Sequence, residues 1–419
     1  MMKRIVVYFI VVIIGMQHMP FISAESNEEL KAAFIKNDDL WLQIGNKEMK
    51  ITNDEFIRYP QWSFDGNWIA YMKGTKGGES PLYVPLYEGD LWLYNVQQNR
   101  HIMVLPKVNK NFQWSPNKNI LALQSANNFK TLNVQSPHLL QNITSGIDNF
   151  SWLPDGSGFL TSSKAGESVF SDIVLSKITL NQKKNQYQSH HFYTIPVGKN
   201  DYFYGTSQFK WSYDHRWIAF QLVPTASLSA DSNTISVLSN DGSHFRKFGE
   251  MLNYEEWFQW APTTNSLAYI EGFGRGSTQN KKLKVKDVLN DSNFLYTPSG
   301  YVDRDLTWKT DNQMFVSRSL ESDWVDVELR PMPSIYHVNL HTKQQRKITS
   351  PSSQEGDFYP KWISNGSKLI WIRTDRDNAS VLIANTNGEN QKKWIKKIDL
   401  GSWYYEHWEW DEVFSLYQP

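Results

Sequence analysis

The chain has 419 residues, with 43 basic and 43 acidic side chains and no cysteine. This balance argues against a nucleic-acid binder, which needs a basic surface, and 18 Trp, 20 Tyr and 22 Phe argue against a disordered chain. Without thiols there are no disulfides, zinc–thiolate sites, iron–sulfur ligands or cysteine nucleophile, so stability has to come from packing and hydrogen bonds.

Residues 1–24 open with Lys3 and Arg4, continue through an apolar run over residues 5–16, and end in Ser23-Ala24. The run is shorter than the ~20 residues that cross a bilayer and matches the apolar centre of an export signal. Cleavage after Ala24 is expected, with an uncleaved anchor as the alternative. Residues 25–419 would then be a single secreted or extracytoplasmic domain, at the cell surface or in the periplasm of a bacterium. Losing Lys3 and Arg4 turns the balance slightly acidic, too weakly to name a partner.

A repeat follows. Trp62, Trp114, Trp152, Trp211, Trp260, Trp308 and Trp362 align without gaps. Three residues after the Trp stands Asp or Asn (Asp65, Asn117, Asp155, Asp214, Asp311, Asn365), with Thr263 the exception. Seven residues after it stands a large apolar side chain: Ile69, Leu121, Phe159, Ile218, Leu267, Phe315 or Leu369. Ala70, Ala122, Ala219 and Ala268 come next in their copies. This is a β-hairpin: the Trp ends one strand, Asp-Gly or Asn-Gly (65–66, 155–156, 365–366) supplies the positive φ of a tight reversal, and the apolar residue opens the return strand. Alternating segments such as DLWLYNV from Asp90 and SVLIANT from Ser380 supply outer strands.

Short strands in fours at a regular spacing indicate an all-β fold, a single closed β-propeller of four-stranded blades. Ala would suit inner strands crowding an axis, and Trp the wedge between blades. Residues 32–52 read as outer strands lacking an inner one, and Trp410 with the following VFSLY as an inner strand with little else. The N- and C-terminal strands should therefore share one blade, giving eight blades. Seven is the alternative, because the interval from Trp114 to Trp152 is short enough to hide an incomplete blade. WYYEHWEW, residues 403–410, is expected to be a closing strand packed on both sides.

The repeats resemble those of the TolB-like propellers, a WD40-like family shared with the dipeptidyl-peptidase-type enzymes. The seventh copy carries the likeness best, with Arg373-Thr374-Asp375-Arg376-Asp377-Asn378 in place of the family's S-D-R-D-G-N element and Asn387-Gly388 at its D-G turn. The resemblance covers the mature chain and implies fold more strongly than function. TolB itself has an α/β domain before its ring, whereas residues 25–61 alone precede Trp62 here; its envelope role is therefore not expected to transfer. The related peptidases add a hydrolase domain with a Ser nucleophile, and no G-x-S-x-G occurs in this sequence.

Loop lengths point to a recognition face. Hairpin turns are uniform, whereas residues 73–89, 223–232, 271–280 and 320–334, between second and third strands, and 196–208 and 350–359, between blades, are long. All six would emerge on one face, where loops on a rigid scaffold carry recognition. Candidate ligand-binding residues there are Tyr83, Tyr87, Glu88, Tyr202, Tyr204, Glu321, Asp323, Trp324, Asp326, Arg330, Asp357, Tyr359, Arg373 and Arg376. Aromatic and Arg anchors among polar groups suit a protein, peptide or envelope glycan. Glu321, Asp323, Asp326 and Glu328 lack the D-x-D-x-D order and Gly turn of a calcium loop, so neither metal nor cofactor is expected. The expected function is a monomeric, non-catalytic binding or scaffold module. The alternative is a propeller hydrolase or lyase acting on a glycan or small ester through a metal in the channel.

Overall fold

The computed structural model describes residues 29–74, 88–168, 170–181, 186–198, 201, 203–224, 233–290, 293–323 and 325–418. The expected signal segment, residues 1–24, lies outside them. Among the described residues there is no α-helix, only antiparallel strands, turns and three short 3-10 turns, and no helix long and apolar enough to cross a membrane.

The hairpin chemistry read from the repeat accounts for the strands. Trp62 pairs with Ile69, Trp114 with Leu121, Trp152 with Phe159, Trp211 with Ile218, Trp260 with Leu267 and Trp362 with Leu369. The sixth copy is displaced by a bulge and pairs Trp308 with Met314. Gly66, Gly156 and Gly366 have φ of +65°, +65° and +75°, and in the fourth copy His215 takes the same conformation at +58°. The repeated acid closes the turn: Asp65 accepts from the Ser63 hydroxyl and the Asn67 N–H, Asp214 from the Ser212 hydroxyl and the Arg216 N–H.

The sheets are radial four-stranded units of a β-propeller. The first unit comprises Ile57–Trp62, Trp68–Lys73, Glu88–Asn95 and the first part of Arg100–Trp114; the second takes the rest of that long strand with Ile120–Ser125, Asn128–Asn133 and Leu140–Ser145. The interval between Trp114 and Trp152 therefore holds a full unit. The third and fourth run from Asn149–Trp152 to Gln186–Ile195 and from Phe203–Thr206 to Phe245–Met251. The fifth, sixth and seventh begin at Phe258–Trp260, Tyr301–Thr310 and Gly356–Ile363. One further sheet is composite: Lys31–Lys36, Asp39–Ile44 and Lys47–Lys50 receive the C-terminal strand Phe414–Leu416 as inner strand, Phe34 pairing with Phe414 and Ala32 with Leu416.

The repeat tryptophans other than Trp362 join neighbouring units by a hydrogen bond as well as by packing. The indole N–H of Trp114 donates to the Gln61 carbonyl, Trp152 to Gln113, Trp260 to Lys210 and Trp308 to Gln259; in each case the acceptor immediately precedes the previous unit's repeat Trp. Trp62 donates to Ser415 of the composite unit. Register therefore puts Leu416, not Trp410, at the repeat position of that unit, which corrects the alignment of Trp410. Trp410 begins the 3-10 turn Trp410–Glu412, and its neighbours form a two-residue hairpin, Trp403–Tyr404 with His407–Trp408, rather than a continuous closing strand. Ala70, Ala122, Ala219 and Ala268 are fully buried, as expected of inner positions.

Candidate functional site

Inner strands start at the long-loop face, and the side chains three and one residues before the repeat Trp line the axis. Neutral amides are the commonest of them and bond to their neighbours: Asn111 donates to Asn149, Gln113 to the Phe150 carbonyl and Gln259 to the Leu306 carbonyl. In the first, sixth and seventh units the residue three before the Trp sits in a bulge with positive φ: Tyr59 at +55°, Asp305 at +44° and Tyr359 at +53°. Bulges that re-aim a side chain are frequent beside functional sites.

Residues 401–412 cross the axis at this end. The Tyr405 carbonyl accepts from the Ser277 N–H, the Tyr404 carbonyl from the Tyr254 hydroxyl and the Glu406 carbonyl from Arg304. The buried Glu406 carboxylate pairs with Arg330 at 3.1 Å and Arg376 at 3.3 Å. Glu412 accepts from the Tyr59 hydroxyl and from both the N–H and hydroxyl of Ser402. The C-terminal segment thus lies across the channel mouth on the long-loop face, tied to the first, fifth, sixth and seventh units.

Below it the channel is strongly charged. One ligand atom each of Glu256, Glu409 and Asp411 lie within 4.8 Å of one another. Burial pushes the Glu409 carboxyl well above its usual range, and burial with the Glu256 charge pushes Asp411 up to about 7, although the Asp411 side chain is exposed at the surface of the channel. Burial pushes the Lys210 ammonium down to about 8, and it donates to the Glu255 and Phe258 carbonyls. Lys361 is likewise lowered by burial and packs on the Tyr359 ring. A cavity of about 230 Å³, lined by Tyr59, Tyr359, Lys361, Asp411, Ser415 and Gln418 among others, continues towards the hairpin face.

On the loop rim, a cleft of about 580 Å³ between the fifth and sixth units is lined by Phe273, Arg275, Gln279, Asn280, Glu321 and Asp323 among others. It is braced from below. Glu321 accepts the Asn280 N–H and pairs with Lys282; burial raises its pKa but these hydrogen bonds more than offset that and leave it lowered. Asp323 accepts from Gln279.

Of the residues expected to bind ligand, Tyr83, Tyr87, Tyr202 and Trp324 lie outside the described residues. Glu321 and Asp323 meet in the cleft, with exposed Asp326 just before the 3-10 turn Val327–Leu329. Arg330 and Arg376 converge on Glu406, and Arg373 holds buried Asp357 through two hydrogen bonds of 2.7 and 2.9 Å. Tyr359 faces the channel, while exposed Glu88 and Tyr204 belong to the first and fourth units. Glu256, His407, Glu409 and Asp411 were not among the expected residues.

No family model matches the chain, and no curated protein matches it. Solved structures do. The chain is similar to dihydro-heme d1 dehydrogenase NirN (TM-score 0.56, 12% identity, covering 88% of this chain and 73% of that one). It is also similar to a eukaryotic initiation factor (TM-score 0.53, 13% identity, covering 88% and 98%). TolB from Acinetobacter baumannii overlaps 87% of this chain and 62% of its own at a TM-score of 0.35 and 12% identity. At these identities the likenesses concern the fold alone; the class is the β-propeller.

Proposed function

We propose that this chain is an exported propeller of eight blades, closed by its terminal strands, that serves as a non-catalytic binding module and takes a protein or peptide segment in the cleft between residues 271–280 and 320–334. One observation carries the reading. Phe273, 65% exposed, lines the cleft with Arg275, Glu321 and Asp323, and Leu320 and Leu329, on the segment that carries Glu321 and Asp323, are 55% and 70% exposed. Large apolar side chains left in water within a polar rim mark an interaction surface, and bracing from Lys282, Gln279 and the Thr278 carbonyl, which accepts the Ser322 N–H, limits the entropy lost on binding.

The test is affinity capture from native envelope and secretome with wild type and a Phe273→Ala/Asp323→Ala/Leu329→Ala variant, whose exposed positions leave the core intact. A specific partner lost by about tenfold or more in the variant supports the reading. Equal capture by both proteins, or capture of an envelope glycan in place of a protein, overturns it.

A further inference from the structure

The acidic cluster at the channel mouth has an unusual neighbour. His407 is fully buried, and neither ring nitrogen makes a hydrogen bond. Its Nε2 faces Glu256 Oε1 at 3.5 Å, an oxygen that is itself buried without a hydrogen-bond partner. Its Nδ1 lies 3.8 Å from Asp305 Oδ1. That carboxylate is fixed by the Trp257 indole N–H and the Tyr359 N–H, both at 2.9 Å. Tyr254 packs on the imidazole at 3.8 Å between centroids and Trp257 meets it edge-on at 5.1 Å. A buried imidazole held this firmly, with a carboxylate facing Nε2 at the edge of hydrogen-bond distance, has a nitrogen that a ligand between the two groups would satisfy.

We propose that Glu256, Glu409, Asp411 and His407 form a binding site for a divalent transition-metal cation, which clamps the C-terminal segment to the fifth unit across the mouth of the channel. Three of the four donors come from residues 407–411 and the fourth from the turn Glu255–Trp257, so the ion bridges two stretches of chain that the repeat does not join. The His407–Glu256 separation is close to the roughly 3.4 Å edge expected between two ligands of a tetrahedral ion with bonds near 2.05 Å. Glu409 and Asp411, not fully enclosed, close the remaining distance by side-chain rotation. Asp305 lies on the Nδ1 side at 3.8 Å, which leaves Nε2 as the nitrogen that faces Glu256. Three oxygens and one imidazole nitrogen favour Mn²⁺ or Zn²⁺; a calcium site is built from oxygens alone.

The probe is Mn²⁺, titrated calorimetrically into full-length protein freed of metal by chelator, with Ca²⁺ as the contrasting ion. One Mn²⁺ per chain is expected, together with a higher Tm and slower amide exchange over residues 401–412. Glu409→Gln and Asp411→Asn, at positions reached by solvent, should each weaken binding by about tenfold or more. Pulsed EPR of the wild-type Mn²⁺ complex should show nitrogen coupling from one imidazole, a readout independent of how any variant folds. No saturable Mn²⁺ binding, equal binding by wild type and both variants, no nitrogen coupling, or Ca²⁺ binding as tight as Mn²⁺ would each overturn the assignment.

Discussion

Glu406 is the residue whose loss should free the segment across the channel. Its carboxylate is buried against Arg330 and Arg376, and breaking a buried pair costs ~3–5 kcal/mol because charge is left unpaired. The arginine side chains retain 10% and 18% of their exposure, so part of their hydration returns and ~2–3 kcal/mol is the better figure for Glu406→Ala. The turn adds a second term. Tyr405 and Glu406 have φ of +46° and +69°, a conformation that costs a residue with a Cβ ~1–2 kcal/mol. Glu406→Ala keeps that strain while losing the ion pairs; Glu406→Gly loses the pairs but relieves about 1 kcal/mol of strain. Hydrogen exchange over residues 401–412 should therefore accelerate by roughly 30- to 140-fold in Glu406→Ala, since each 1.4 kcal/mol is tenfold, and by less in Glu406→Gly. Acceleration below about threefold in Ala, or faster exchange in Gly than in Ala, would refute the view that the ion pairs hold a strained turn.

Two further expectations concern the scaffold. Trp308→Phe removes the indole donor and leaves the Gln259 carbonyl unpaired, whereas the Trp362 indole N–H is buried without a partner and Trp362→Phe removes that orphan. Urea denaturation should find the Trp308 variant the less stable of the two by about 1 kcal/mol or more, and the reverse order would count against the inter-unit bond as a stabilising contact. The turn carboxylates Asp65 and Asp214 are raised by burial but lowered further by their hydrogen bonds, leaving both below the usual 3.8. A depressed folded value gives stability that is present above pH 3.8 and lost as pH falls through the folded value. Tm should thus drop steeply below about pH 4, and less steeply in Asp65→Asn/Asp214→Asn; an unchanged acid limb would show that these turns contribute nothing.

What could be read from sequence was whatever the repeat imposes. The Trp-to-apolar spacing, the turn glycines and the composite unit were legible because every unit solves the same packing problem with the same side chains. Trp410 was misaligned because spacing alone does not distinguish a Trp that ends an inner strand from one that begins a 3-10 turn, and only the indole bond to Ser415 gives the register. The rim cleft was legible in part: loop length pointed to Glu321 and Asp323, while Phe273, on the facing loop, carried no sequence signal of its exposure. The axial site had one faint signal. Lys210 and Lys361 stand at a lining position where other units carry Gln61, Gln113 and Gln259, so a cation in place of an amide hinted at acids across the channel.

Most of the acids at the channel mouth come from the C-terminal segment and not from the repeated units, and that has a physical reason. An inner-strand side chain must leave room for its counterparts on all the other units, so the repeat tolerates short amides that bond to one another and only isolated charges. A segment used once carries no such constraint. Closing the composite sheet needs only Phe414–Leu416, yet residues 406–412 bring Glu406, His407, Glu409, Asp411 and Glu412 to the axis. Three of these have ties within the chain: Glu406 to two arginines, Glu412 to Tyr59 and Ser402, and His407 to its aromatic cradle. Glu409 and Asp411 gather with Glu256 within 4.8 Å of one another, in the field of Lys110, Lys210 and Lys361. Carboxylates gathered at a channel mouth suit a bound positive charge, and the segment that completes the composite sheet is the part of the chain free to supply them.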